Sequence, residues 1–171
     1  MPSDPYKPHD EHLDQGDIFS DVPLIKYKNG KLEQKPMRAI ITADGCACED
    51  YERMLAKGHT QAAAKLMLHV APLRATKDVP EHRLEEIRSG EQLDYFYVYG
   101  ETGKLPDQML DFSYEQPVPA SVLDGCKKIA RLADWQWKRL LVHQTVSRWH
   151  QKPEKIFLDA ILAEGGGVAA T

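Results

Sequence analysis

The dipeptide Asn29-Gly30 separates two runs, Val22-Pro23-Leu24-Ile25-Lys26-Tyr27 and Leu32 to Ile41. Asn-Gly favours a two-residue turn in which both central residues take φ > 0, and such a turn brings the second run back antiparallel to the first. Gln15-Gly16-Asp17-Ile18-Phe19 opens the outgoing strand, with a bend before Val22. The returning strand ends in Arg38-Ala39-Ile40-Ile41-Thr42, a β-branched run suited to a pleated core, and Asp44-Gly45 breaks it. The first expectation is therefore a hairpin that feeds a sharp corner.

That corner carries the densest chemistry in the sequence. Two thiols, Cys46 and Cys48, and three carboxylates, Asp44, Glu49 and Asp50, lie within seven residues. A thiol at a turn leading into a helix N-terminus is placed for a lowered pKa, with His69 as a base, whereas Glu49 and Asp50 oppose the thiolate. Zinc suits thiolates, with His59 or His69 completing the set, yet these cysteines are one residue apart and Cys126 has no neighbouring cysteine. Packing of small side chains in the core is the competing reading, and no metal or cofactor is expected.

Beyond the corner, the pattern predicts a helix over 49–65, with Gly58 opposing a single unbroken one, then a buried strand from Leu66 that ends near Pro72. Pro80 to Arg88 reads as a short helix and Leu93 to Tyr99 as an aromatic strand with Tyr95, Tyr97 and Tyr99 on one face. Met109 to Tyr114 is a last strand, closed by Pro117 and Pro119. Helices are then expected over 120–132, over 135–150 with Asp134 as N-cap, and over 154–164. In the second of these, Trp135, Val142, Val146 and Trp149 fall on one side and Trp137, Leu140 and Leu141 on the other, so two covering partners are needed. The organisation expected is an extended arm over 1–14, a single α+β domain over 15–164 with its barrel at 15–116 and its helical part at 119–164, and a flexible tail over 165–171.

With 171 residues, 42% hydrophobic and 28% charged, the chain has the composition of an ordinary soluble domain. No apolar run approaches the roughly 20 residues a membrane span needs, and the polar start MPSDPYKPHDEH has no signal-like core, so a cytoplasmic protein with no membrane association is expected. A net charge of −4 argues against a general nucleic-acid coat but is compatible with a local basic groove. No Walker loop, dinucleotide fingerprint, HExxH or GxSxG motif occurs.

Gln15-Gly16-Asp17-Ile18-Phe19 resembles the opening strand of the PemK/MazF-type toxins, Arg38-Ala39-Ile40-Ile41-Thr42 is similar to their second apolar strand, and Leu66 to Pro72 resembles their third. The likeness covers residues 15–73 and implies an SH3-like β-barrel with appended helices. It also implies metal-independent cleavage of single-stranded RNA. In this sequence Pro36, flanked by Lys35 and Arg38, stands where that family has its arginine, and Arg74, then Thr76, follow Pro72 where it has a hydroxyl.

The fold expected is thus α+β, a small SH3-like barrel with C-terminal helices. For RNA cleavage Arg38 or Arg74 would stabilise the pentavalent phosphorane and His69 would move a proton. Lys35 would contact phosphate and Tyr95 and Tyr97 would stack on bases. Asp44, Cys46, Cys48 and Glu49 form a separate thiol and carboxylate site. The function expected is that of a toxin-like protein acting on single-stranded RNA or other nucleic acid, with endoribonuclease activity. The alternative is a non-enzymatic protein-interaction or ligand-binding module, whose protein partner or second copy docks on the Trp135 to His150 helix.

Overall fold

The computed structural model describes residues 4–42 and 45–149. In chain order these form β1 (Tyr6–Lys7), β2 (Asp17–Lys28), β3 (Lys31–Ile41), α1 (Gly45–Ala56), α2 (Thr60–Ala63) and β4 (Met67–Ala75). Then come α3 (Glu81–Ser89), β5 (Tyr95–Val98), β6 (Gln108–Asp111), a 3-10 turn (Phe112–Tyr114) and β7 (Gln116–Pro119). α4 (Ala120–Asp124), β8 (Lys128–Leu132) and α5 (Asp134–Trp149) complete the mixed α+β structure. The helix expected over 154–164 and the tail over 165–171 lie outside the described residues. Among the described residues no helix is long and apolar enough to cross a membrane.

These residues group into two compact units. The first holds Pro8–Arg74 and Asp111–Arg131. Its strands run in the order β8-β2-β3-β4, antiparallel throughout, with β7 also paired to β4. The bend before Val22 is a bulge: the β2–β3 register shifts between Phe19 and Val22, and Asp21 takes φ 56° there. One face of the sheet packs Phe19, Val22, Leu24, Ala39, Ile41, Leu68 and Val70 against Cys48 and Tyr51 of α1. Ile18, Ile40 and Ala71, which alternate with that set, are also fully buried, so these strands read as continuous apolar runs.

The corner departs from expectation, because the helix begins at Gly45 and the stretch with both cysteines is its first turn. Gly58 then ends it. With φ +76° at Gly58, His59 N–H donates to Met54 O and Gly58 N–H to Leu55 O, the paired bonds of a Schellman motif. Strand β4 runs through Pro72 to Ala75. Thr42 N–H donates to His69 O and the register continues as Ile41↔Val70, Ile40↔Ala71 and Ala39↔Pro72. Hydrogen-bonded pairs alternate along an antiparallel ladder, so the nitrogen of Pro72 points away from β3 and no bond is lost there. The same alternation admits Pro117 and Pro119 into β7, where the sequence pattern had placed a strand end.

The helix expected over 120–132 is short. It stops at Asp124, and Lys128–Leu132 is strand β8, paired with β2 through Asp17↔Arg131 and Ile18↔Ala130. Its charged residues are drawn inward by Asp17, which is fully buried and accepts from both Arg131 and Lys128.

The second unit holds Ala75–Leu110 with residues 4–7 and 132–149. Leu84 and Ile87 of α3 pack with Tyr97 and Met109. Phe96, Tyr97 and Val98 are all buried, so β5 has no solvent face over that span. In α5 the buried residues are Trp135, Gln136, Leu140, His143 and Gln144, so one member of each expected apolar side is buried together with three polar residues, while Leu141 is exposed. Gln136 belongs there because its carboxamide accepts from Tyr99 N–H at 2.8 Å and donates to Tyr99 O and Pro5 O.

Candidate functional site

Beyond the bulge, β2 and β3 continue as a two-stranded arm. Asn29 and Gly30 take φ 50° and 77°, as the two-residue hairpin turn requires, and the pairs Lys28↔Lys31, Tyr27↔Leu32, Lys26↔Glu33, Ile25↔Gln34 and Leu24↔Lys35 follow. Directly opposed side chains share a face. One face therefore carries Lys26, Lys28, Lys31 and Lys35 with Glu33 among them. The other carries Ile25, Tyr27 and Leu32, exposed to 54%, 62% and 74%. Four lysines and one glutamate give the segment 26–35 a formal charge of +3 on a chain whose net charge is −4.

The base of this arm is held by a side chain. In a two-residue hairpin the closing pair is hydrogen-bonded and the pairs alternate outward, so Ile25 turns its N–H and C=O away from β3. Gln116 takes both: Ile25 N–H donates to Oε1 at 2.7 Å and Nε2 donates to Ile25 O at 3.1 Å. The Gln116 carboxamide thus stands where a neighbouring strand would.

The residues expected to cleave RNA all lie in the first unit, but they do not converge. Continued by one residue, the β3–β4 register sets Arg38 opposite Leu73, on the same face as His69, with Thr42 opposite His69. Four residues of strand at about 3.3 Å each separate the two by about 13 Å. Arg74 faces the other side by strand alternation, where its Nε donates to Asp111 Oδ2 at 2.6 Å and its guanidinium lies 5.2 Å from the Tyr114 ring centroid. His69 itself has an exposed side chain, and its carbonyl accepts from Thr42 N–H at 2.9 Å.

Of the residues expected to bind the strand, Lys35 is exposed on the arm. Tyr95 and Tyr97 belong to the second unit. Tyr97 is only 3% exposed, its hydroxyl donates to Asp107, and it meets Tyr99 edge-on at 4.9 Å. Burial first and the Asp107 carboxylate second push its hydroxyl up to about 12.

In the thiol and carboxylate stretch, Asp44 lies outside the described residues, Cys46 is in the first turn of α1 and Glu49 is exposed. Cys48 is 1% exposed within the core. Burial, with Asp14, Asp17 and Glu52 adding to it, pushes its thiol up to about 12, so at neutral pH it is a protonated packing residue. Among the described residues no three metal-ligating side chains gather into one group.

The sequence pattern had marked the arm only as a hairpin. Lys26, Lys28, Lys31 and Tyr27 were legible one by one, but their division between two faces depends on the register. Gln116 carried no signal at all, since its partner is a backbone 91 residues away. No family model matches the chain, and no curated protein matches it either.

Proposed function

We propose that the protein is a single-stranded RNA-binding module, and that the bent antiparallel sheet of its first unit is an SH3-like barrel of the PemK/MazF type whose β2–β3 arm is the binding element. The observation that carries this is the two-faced arm. Lysines along one face neutralise phosphates without regard to sequence, and an exposed Tyr27 flanked by Ile25 and Leu32 offers a platform to unstacked bases. We favour binding without cleavage, because Arg38 and His69 stand about 13 Å apart by strand spacing and Arg74 is turned to the opposite face and engaged by Asp111.

Fluorescence anisotropy with a labelled 12-nucleotide RNA across a salt series tests this. Four phosphate contacts predict a log–log salt slope of about −3 for a single strand. Replacing Lys26, Lys28, Lys31 and Lys35 together by Gln should flatten that slope and weaken binding. Tyr27→Ala should weaken binding by roughly tenfold and leave the slope in place. Failure to bind at low salt, or a slope that the quadruple variant does not change, overturns the proposal. Chain scission seen on a denaturing gel and lost in His69→Ala would replace binding alone by catalysis.

A further inference from the structure

The second unit contains a cavity of about 260 Å3 between α3, β5 and α5. An apolar cavity of about 150 Å3 accepts benzene, so this one has room for a ring or branched chain and a small head group. Its apolar wall includes Phe96, Val142 and Val146, and none of its lining residues is acidic, while two are arginines.

The two arginines differ. Arg88 already donates to Glu81 at 2.6 Å and lies over the Tyr97 ring at 4.8 Å. Arg139 lies 5.4 Å over the Tyr99 ring, and among the described residues no carboxylate pairs with it. The C-terminal end of α3 also reaches the cavity, but Gly90 N–H and Glu91 N–H cap the carbonyls of Ile87 and Glu86, which lessens the repulsion for an anion. Of the remaining polar wall, the Ser89 hydroxyl is taken up by Glu86 O at 3.0 Å and the Glu91 carboxylate at 3.1 Å, and His143 donates through Nε2 to Leu93 O at 3.1 Å and so is held in place.

We propose that this cleft binds a small amphipathic carboxylate, its apolar body seated against Phe96, Val142 and Val146 and its head group taken by the guanidinium of Arg139. A planar fork of N–H donors beside an apolar wall matches one planar carboxylate in position and charge. The site is independent of the arm, since all its residues belong to the second unit.

Fluorine NMR titrations with 4-fluorophenylacetate and its neutral counterpart 2-(4-fluorophenyl)ethanol test the proposal on the full chain. The acid is expected to bind at least tenfold more tightly than the alcohol. Arg139→Gln should bring the two affinities together, and Val142→Phe, which fills the cavity, should weaken both, with circular dichroism of each variant matching the wild type. No binding of the acid to the wild type, equal affinity for acid and alcohol, or a preference that survives Arg139→Gln overturns it. Because Arg139 is only partly buried, its variant gives the decisive comparison whether or not Val142→Phe folds.

Discussion

Asp17 and Arg131 meet across β2 and β8 as a two-point pair, Nε to Oδ1 at 2.5 Å and Nη2 to Oδ2 at 3.1 Å, with the carboxylate wholly shut off from solvent. Lys128 Nζ at 2.7 Å and Asp14 N–H at 2.8 Å complete its partners. Such a carboxylate is satisfied only as an anion, and removing its charge leaves two cations facing a neutral amide. Asp17→Asn is expected to cost about 3–5 kcal/mol, read as a lower urea midpoint at unchanged slope. Arg131→Leu should cost less, because Lys128 remains on the carboxylate.

A second prediction concerns acid. Burial lowers His143 below its ordinary value of 6.5, and the Leu93 carbonyl offsets this only in part. Between the folded and unfolded values the unfolded chain binds a proton that the folded chain does not, so stability falls as pH drops below about 6.5. His12, raised by its bond to Glu52, acts with the opposite sign, but its exposure makes it a weak contributor. The thermal midpoint should decline from pH 7 to pH 5, and His143→Gln, which still offers a donor to Leu93 O, should flatten that decline.

Cys48 should be chemically silent. With its thiol near 12 and its side chain 1% exposed, it is expected to escape iodoacetamide at pH 7.5 in the native protein and to react fully in denaturant. Peptide mapping in a Cys46→Ser background reads this directly. Labelling of native Cys48 at the rate of a free thiol would mean that the α1 core opens.

Gln116→Ala should loosen the arm at its root. Two backbone bonds to Ile25 are lost, at about 1 kcal/mol each at most, because water can replace them at this exposed edge. The specific readout is amide exchange: Ile25 N–H should exchange faster in the variant while Ile40 and Ile41, deep in the sheet, keep their protection.

Gly58→Ala should destabilise the protein by about 1–2 kcal/mol through backbone conformation alone, since a Cβ at this position meets nothing within 4 Å. Gly58→Asn should cost less, and a thermal melt distinguishes the two.

How far the sequence revealed this molecule varies with the range of the interaction. Asn29-Gly30 announced the hairpin because its signal is local and steric. Gly58 was legible as a helix break for the same reason. Lys128 to Leu132 reads as helix by propensity, and its distant pairing with β2, which sets Arg131 beside Asp17 across 114 residues of sequence, makes a strand of it. In α5 Trp135 and Leu140 were marked by the apolar pattern, but the rest of the buried stripe was hidden by chemistry, because Gln136, His143 and Gln144 score as polar until their partners are known. For the candidate sites, Cys48 is packed and Tyr97 is bonded and buried although both stood out in the sequence, whereas Tyr27 and Arg139 looked ordinary in one dimension.

Among the described residues the arm is a ribbon with no strand alongside it past Gln116, and at Tyr27 and Leu32 its outward amides and carbonyls are the template on which another ribbon could form. The lysines of two such arms would repel one another there, which opposes edge-to-edge pairing. A bound polyanion cancels that repulsion and at the same time brings several molecules onto one strand. On the proposed RNA-binding reading, occupancy and lateral contact would be coupled through the same four charges, and loading along a long strand should then be cooperative where loading on a short one is not.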